Sequence, residues 1–297
     1  MQSHAFDTAM QPIGRQARAL RYSARVDLQP LREFIDRHPR LFVLTGAGCS
    51  TDSGIPDYRD AEGAWKRQPP VQYPAFMAEA ATRQRYWARS LVGWQYFGHA
   101  RPNATHAALA RLEAQGRVDV LVTQNVDGLH QQAGSQQVID LHGRLDTVAC
   151  QGCGDRSPRA VLQQRLEAAN PGWVDRQARV GPDGDVDLEA EDFHRFVVPD
   201  CLLCGGVLKP DVVFFGEAVP RERVEAAYAA VDRADAVLVV GSSLMVYSGY
   251  RFVKTAAEAG KPIAAVNRGR TRADELLTLK IDAGCAETLE WLTCPTR

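Results

Sequence analysis

Six short apolar, β-branched runs, each followed by a turn signal, constrain this fold more than any other feature of the chain. They occupy residues 41–44, 118–122, 138–141, 212–215, 236–240 and 262–266. Near-continuous apolar runs of about five residues are what parallel strands covered on both faces require. Helical periodicity lies between several of them. Residues 222–233 place Val224, Ala227, Tyr228 and Val231 on one face, and residues 250–259 repeat the pattern. Alternating β and α units predict an α/β protein with a Rossmann-like, doubly wound parallel sheet.

Two segments interrupt the alternation. Residues 57–103 are rich in Tyr, Trp, Arg and Gln and read as a helical insertion. Residues 146–207 hold two close cysteine pairs, Pro and Gly punctuation and an acidic stretch, and read as a second insertion. The 297 residues carry 35 Lys and Arg against 36 Asp and Glu, a formal charge of −1, so no basic excess points to nucleic acid. No apolar run reaches the length of a membrane span. Only five of the basic residues are Lys, and Ala is abundant, a bias that favours GC-rich bacterial coding. Residues 1–26 contain Arg15, Arg18, Arg21 and Arg25 but no apolar core. They read as a mobile N-terminal extension, with a mitochondrial presequence as the alternative, and not as a secretory signal.

Cys150-Gln-Gly-Cys153 and Cys201-Leu-Leu-Cys204 are two C-x₂-C knuckles, each followed by a glycine. Two knuckles supply four thiolates, the closed tetrahedral ligand set of one structural Zn²⁺. The remaining cysteines bring the total to seven, an odd number that argues against a secreted disulfide framework and for a reduced compartment. Asp183, Asp185, Asp187, Glu189, Glu191 and Asp192 crowd the loop between the knuckles and read as a solvated face, with a lid over a cleft as the alternative.

Three of the apolar runs end in small, polar turns. The first leads into Thr45-Gly46-Ala47-Gly48-Cys49-Ser50, a Gly-x-Gly turn expected to open a helix and to aim bare amides at a diphosphate. The others are Gly241-Ser242-Ser243 and Asn267-Arg268-Gly269. Ligands of open α/β sheets sit beyond the C-terminal strand ends, so the three turns together predict a nucleotide cleft. The third glycine of the dehydrogenase fingerprint is displaced to Gly54, and no acidic residue closes a second strand about twenty positions on, which argues against hydride transfer. Two more strand ends carry Gln124-Asn125-Val126-Asp127 and His142-Gly143, and His142 is placed for general acid–base work. His106 reads as a helix-capping or packing residue and His130 as packing.

GAGCSTDSGIPDYR, TQNVDGLH, LHG, the two knuckles, KPDVVFFGE and GSSLMVYSG follow one another in the order found in sirtuins, the NAD-dependent protein deacylases. The resemblance runs from about residue 27 to the end. RQRYWAR, NPGW, PDGDV and VYSGYRF make it most similar to the class II branch, typified by the fourth human sirtuin of mitochondria. It implies a catalytic domain over residues 27–297, with Rossmann-like parts at 27–56, 104–145 and 208–297, the helical insertion at 57–103 and the zinc module at 146–207. It further implies NAD as co-substrate and acylated-lysine proteins as substrates, with nicotinamide, O-acyl-ADP-ribose and free lysine as products.

In that family pattern His142 is the general base on the ribose hydroxyls. Asn125 and Asp127 hold the nicotinamide ribose and carboxamide, with Gln124 and Val126 beside them. Gly46, Ala47, Gly48, Ser50 and Arg59 contact the phosphates, helped by Asp57 and Tyr58. Gly241, Ser242, Ser243, Asn267, Arg268, Gly269 and Cys285 line the adenosine half. Val213, Phe214, Phe215 and Gly216 match the segment that pairs with the substrate backbone, with residues 215–217 as an exposed tip.

Residues 246–249 lack the proline that many deacetylating sirtuins place there, which turns the expectation away from acetyl groups. Tyr86 and Arg89 match in position the Tyr-x-x-Arg pair with which class III sirtuins bind acidic acyl groups, and they imply a preference for glutaryl-like, hydroxymethylglutaryl-like or other dicarboxylic chains; the alternative is a surface Arg on an amphipathic helix with Tyr86 and Trp87 in the core. Mono-ADP-ribosyl transfer to protein and a non-catalytic NAD or ADP-ribose binding module are the competing functions. No nucleic-acid or membrane partner is expected, and a monomer is the expected state. The expected location is the cytoplasm of a bacterium, or the mitochondrial matrix in a eukaryote.

Overall fold

The computed structural model describes residues 26–58, 60, 66, 70–174, 176, 179–180, 186–188 and 192–293. Residues 1–25 of the N-terminal extension, Arg59, Asp183, Asp185, Glu189 and Glu191 lie outside these residues. In chain order the helices are α1 (Gln29–Arg37), α2 (Tyr73–Ala78), α3 (Ala80–Phe97), α4 (Ala104–Ala114), α5 (Leu129–Gln132), α6 (Arg159–Ala169), α7 (Arg221–Arg233), α8 (Tyr247–Glu258) and α9 (Cys285–Thr293). The strands are β1 (Leu41–Thr45), β2 (Val118–Thr123), β3 (Val138–Asp140), β4 (Gly143–Cys150), β5 (Arg156–Pro158), β6 (Arg179–Val180), β7 (Val186–Asp187), β8 (Leu208–Val212), β9 (Ala236–Val240), β10 (Ile263–Val266) and β11 (Leu279–Ile281).

Six strands form one parallel sheet in the order β3-β2-β1-β9-β10-β11. This is the doubly wound arrangement, whose strand order reverses between β1 and β9. Side chains of β1 alternate between two cores. Leu41 and Val43 pack with Leu31, Leu109 and Leu289, from α1, α4 and α9. Phe42 and Leu44 pack with Val231 and Phe252, from α7 and α8. Both faces are therefore covered, as the unbroken apolar runs require.

One of the six runs departs from the expectation. Residues 212–215 do not enter the parallel sheet. Only Val212 is in a strand, as the last residue of β8, which pairs antiparallel with β4 in a separate sheet ordered β5-β4-β8. An apolar run reports burial and not strand direction, and here the burial comes from the second lobe. The strands of that sheet reach from Gly143 to Val212, beyond the 146–207 read from the cysteines. Gly143 makes this start possible: at φ +81° it passes so close to β8 that a Cβ would lie 2.0 Å from the Asp211 carbonyl oxygen.

The two insertions are not separate bodies. Phe76, Trp87 and Leu91 of the helical insertion share one core with Leu162, Trp173 and Phe196 of the cysteine-bearing one. Buried Arg159 lies over the rings of Trp87 and Trp94, at 5.3 and 5.0 Å, and donates to the Ser90 carbonyl.

Behind the sheet, His106 and His130 are buried with ring centroids 4.7 Å apart. His106 completes a capping box with Asn103 at the start of α4, as expected of a capping residue. His130 meets the Thr45 hydroxyl at 3.0 Å. Burial, reinforced by neighbouring His106, pushes the His130 pKa down to about 3; burial lowers that of His106 as well, against the pull of Asp127. The unfolded chain therefore takes up these protons first, at its ordinary histidine value of about 6.5. Stability from this pair is full above that pH and is lost as pH falls from about 6.5 towards about 3. Urea midpoints measured across this range should decline, and His130→Gln should flatten the decline; a midpoint independent of pH in the parent chain contradicts it.

Candidate functional site

A cleft of about 580 Å³ opens at the C-terminal ends of β1, β2 and β9, at the reversal of strand order. The Gly-rich turn after β1 forms one wall. It is two successive 3₁₀ turns, Ala47–Cys49 and Thr51–Ser53, and not the start of an α-helix as expected. The turn lies directly on the one after β9: the Gly48 amide donates to the Gly241 carbonyl at 2.8 Å. At Gly241, φ +60°, a Cβ would stand 2.4 Å from the Cys49 nitrogen, so only glycine permits the approach.

Side chains from the end of β2 hold these turns together. The Gln124 carboxamide donates to the Thr45 carbonyl (3.2 Å) and the Ser242 hydroxyl (2.9 Å). That of Asn125 donates to the Gly46 carbonyl (3.1 Å) and Ser50 Oγ (3.0 Å). Ser50 Oγ donates in turn to Asp127 at 2.7 Å, whose other oxygen accepts from the Leu129 amide at 2.9 Å.

His142 follows β3. Its Nδ1 lies 2.9 Å from the Gln124 backbone carbonyl and its Nε2 lies 2.8 Å from Ser248 Oγ. A carbonyl can only accept, so Nδ1 carries the proton and Nε2 keeps a lone pair. Burial lowers the His142 pKa to about 4, helped by the positive charges of Arg251 and Arg223 and opposed by the Gln124 bond. The ring is neutral at pH 7.

Gly46, Ala47, Gly48, Ser50, Asp57, Tyr58, Gln124, Asn125, Val126, Asp127 and His142 all line the cleft, as do Gly241, Ser242, Ser243, Asn267 and Arg268. Gly269 and Cys285 do not. The Gly269 amide donates to Asp282, and Cys285 is buried under the floor, with its thiol towards the Val266 carbonyl.

Tyr86, Val213, Phe214, Phe215 and Gly216 line the opposite end, together with Ile55, Phe97, Val126 and Leu145. Tyr86 packs against Phe76 and Phe214 with ring centroids 5.4 and 5.2 Å apart. Arg89 is not in the lining: its Nε donates to the Val186 carbonyl of β7 at 2.6 Å. Glu217, expected at an exposed tip, turns inward. Its carboxylate meets buried Lys209 at 3.1 Å and accepts the Phe214 amide at 2.8 Å. Lys209 donates also to the Val212 carbonyl, and the Val213 amide donates to the His142 carbonyl at 2.8 Å.

Three contributors were not singled out from sequence. Asn103 donates to the Cys49 carbonyl at 2.7 Å and to Ser53 at 3.0 Å, fixing the Gly-rich turns from behind. An Asn ahead of a helix signals a cap, and nothing in its spacing signals the second role. Lys209 opens the KPDVVFFGE motif, but nothing in its spacing signals a buried ammonium paired with Glu217, and the sequence marks Ser248 only by the absence of a proline.

The four knuckle cysteines converge. Their sulfurs lie within 4.8 Å of one another, with Cys150–Cys204 at 3.5 Å and Cys153–Cys201 at 3.8 Å. Zn–S bonds of about 2.3 Å at tetrahedral angles require S–S edges of about 3.8 Å, so the set fits one structural Zn²⁺. The amides of Gly152 and Cys153 point at the Cys150 sulfur, 3.3 and 3.5 Å away. Cys153→Ser should reduce bound zinc from about one per chain to near zero by atomic emission and open the module to limited proteolysis; full zinc content in the variant argues against the four-cysteine assignment.

A family model described as the Sir2 family matches residues 46–248. A protein of Xanthomonas campestris named NAD-dependent protein deacetylase is 68% identical over 265 residues, 89% of this chain and 90% of the relative. One of Bordetella bronchiseptica with the same name is 66% identical over 263 residues, 89% of this chain and 96% of the relative. The bovine NAD-dependent protein lipoamidase sirtuin-4, mitochondrial, is 49% identical over 265 residues, 88% of this chain and 84% of the relative. Among solved structures, a Sir2 with a p53 peptide and NAD⁺ superposes with a TM-score of 0.71 at 27% identity, over 90% of this chain and 97% of that one. A Sir2 bound to a propionylated peptide gives 0.72 at 28% identity, again over 90% and 97%.

Proposed function

The chain belongs to the Sir2 family, and we propose that its cleft is the active site of an NAD-dependent protein-lysine deacylase that yields nicotinamide, O-acyl-ADP-ribose and free lysine. One observation carries the reading. His142 is a neutral imidazole whose proton is fixed on Nδ1, with its basic nitrogen in the cleft, beside strand ends built for a nucleotide. With a pKa of about 4 the base form persists through neutral pH.

Bound NAD⁺ supplies a ribose carbon from which nicotinamide departs. Gly46, Ala47, Gly48 and Ser50 would face its phosphates, with Asp57 and Tyr58 beside them; Arg59 of the same motif lies outside the described residues. Gly241, Ser242, Ser243, Asn267 and Arg268 would hold the adenosine half. Gly269 and Cys285 would act from behind that wall. Asn125 and Asp127 would hold the nicotinamide ribose and carboxamide, with Gln124 and Val126 beside them. To reach NAD⁺ they exchange their present bonds to Gly46 and Ser50. The substrate main chain would lie along residues 213–216. In this reading the catalytic domain spans residues 27–297, assembled from the three Rossmann-like parts and the two insertions.

The acyl group would enter between Ile55, Tyr86, Phe97, Val126, Leu145 and Phe214. A preference for acidic acyl groups rests on Tyr86 in this wall and on Arg89 three residues away. Arg89 lies outside the lining and spends its Nε–H on the Val186 carbonyl, so a carboxylate would have to be met by its terminal nitrogens. The wall as it stands offers apolar surface and one phenol, which favours neutral chains. The bovine relative is named a lipoamidase, and a lipoyl chain is apolar along its length.

Purified protein should be incubated with NAD⁺ and lysine peptides carrying acetyl, lipoyl, succinyl, glutaryl or hydroxymethylglutaryl groups. Mass spectrometry should find nicotinamide and O-acyl-ADP-ribose, with at least about a hundredfold loss of rate in His142→Ala. NAD⁺ intact with every peptide, or ADP-ribosylated protein without deacylation, overturns the reading. The rate should hold from pH 8 to about 6 as far as His142 is concerned and fall as pH approaches about 4, where the ring takes up its proton.

Lipoyl peptide should outrank glutaryl peptide, with the order unchanged in Arg89→Met. A glutaryl preference that Arg89→Met removes, by about tenfold or more in kcat/KM, would instead establish the acidic specificity.

A further inference from the structure

We propose that Ser248 is a catalytic residue of this cleft, its hydroxyl relaying a proton from a substrate hydroxyl to Nε2 of His142. The assignment rests on the deacylase reading and adds a second protein group to its proton transfer.

Nδ1 of His142 can only donate to the Gln124 carbonyl, so Nε2 can only accept, and the group 2.8 Å from it is Ser248 Oγ. The serine must therefore donate its hydroxyl hydrogen to Nε2. The basic nitrogen of His142 is thus already occupied. For His142 to reach a ribose hydroxyl directly, Ser248 would have to rotate away and forfeit this bond. No such motion is needed if the proton travels through it. A hydroxyl that donates one hydrogen keeps two lone pairs with which to accept another, and both Ser248 and His142 line the cleft.

The placement of Ser248 is a product of the local fold. It is the second residue of α8, which begins at Tyr247, three residues earlier than the apolar periodicity implies. The helix start is pressed against the end of β2, because a Cβ on Gly249 would lie 2.5 Å from the Gln124 carboxamide oxygen. Gln124 is the residue whose backbone carbonyl orients His142. One residue therefore sets both the tautomer of the imidazole and the distance at which α8 presents its serine. The Ser248 carbonyl accepts from Arg251 Nε at 3.0 Å, which further fixes this first turn.

The transfer balances without any further reactant. The hydroxyl O–H bond of the nicotinamide ribose breaks as a new O–H forms on Ser248. The original Ser248 hydrogen passes to Nε2, leaving an imidazolium and a nucleophilic ribose oxygen. Arg251 on α8 and Arg223 on α7 both act against the positive ring, so the proton is held only briefly and returns by the same path when a leaving group needs it.

Ser248→Ala and Ser248→Thr, with His142→Ala as control, test the relay by two independent readings. NMR titration of the free protein follows the His142 ring. Ser248 Oγ is the polar partner of Nε2 in both ring forms, donating to the neutral ring and accepting from the protonated one, so its loss should move the titration away from the parent value in Ser248→Ala and leave it near that value in Ser248→Thr. In deacylation, Ser248→Ala should lower kcat by about 10- to 100-fold with little change in either KM, and Ser248→Thr should restore most of the rate. The relay requires both changes. Full kcat in Ser248→Ala, or an unmoved titration, overturns it. If His142→Ala is inert while Ser248→Ala is fully active, the relay alone falls; if His142→Ala keeps its activity, His142 is not the base and the relay falls with it; if the parent protein leaves NAD⁺ and every peptide intact, the deacylase assignment itself falls.

Discussion

The contact between the turn after β1 and the turn after β9 is the constraint on which the rest of the cleft depends. Strand order reverses there, which opens a crevice in any doubly wound sheet. In this chain two backbones close part of the crevice again. A Cβ on Gly46 would lie 2.8 Å from that of Ser242, and one on Gly241 would meet Cys49 nitrogen at 2.4 Å. Glycine costs conformational entropy in the unfolded state. What it gains here is a spacing short enough for Gln124 to bond to Thr45 and Ser242 at once. Separate the two turns and that bridge breaks. The Asn125 bonds to Gly46 and Ser50 lose their geometry, and the carbonyl that orients His142 moves.

The second lobe is coupled to the same centre by buried charge. Lys209 is 4% exposed. Removing an ammonium from water costs several kcal/mol, offset here only because Glu217 and the Val212 carbonyl both receive it. The arrangement is costly as a source of stability and effective as a source of shape. Glu217 also takes the Phe214 amide, and the next amide back, that of Val213, bonds to the His142 carbonyl. Phe214 is meanwhile a wall of the proposed acyl channel. The wall and the base are thus parts of one hydrogen-bonded chain that starts at an ion pair in the lobe core. A single aromatic core spans both insertions, so changes in either can reach the channel without touching substrate.

Much of this was legible in the sequence, for identifiable reasons. Five of the six apolar runs are strands of the parallel sheet, because burial on both faces leaves an unmistakable pattern. The cysteine site was legible because metal geometry forces short ligand spacing in the chain. The cleft turns were legible because close backbone approach demands glycine. Residues 212–215 misled because burial carries no information on which sheet receives a strand. The partner of Arg89 was not legible, because helical spacing gives a face of α3 and not what arrives there from a distant part of the chain; the Nε–H meets a carbonyl of β7. Glu217 read as exposed because its partner, Lys209, lies eight residues away across a turn that spacing does not describe. Ser248 was visible only as an absent proline, since its role comes from a helix start and a strand end that meet only in three dimensions.

The polar groups of the cleft are largely satisfied by one another. Asp127 holds Ser50, Asn125 holds Gly46 and Ser50, and His142 holds Ser248. A ligand that uses these groups must exchange existing bonds for new ones, and each exchange contributes far less than a hydrogen bond formed from nothing. In the proposed reaction this would moderate the affinity for NAD⁺, which suits a co-substrate that is consumed and must be replaced in every turnover. The same arrangement keeps the base from being wasted: its lone pair stays occupied in the free protein, and a proton can reach it only from a group able to replace or extend the Ser248 hydrogen bond. Selectivity for a hydroxyl held at that point then follows from hydrogen-bond geometry, with no need for an unpartnered, costly imidazole in the resting cleft.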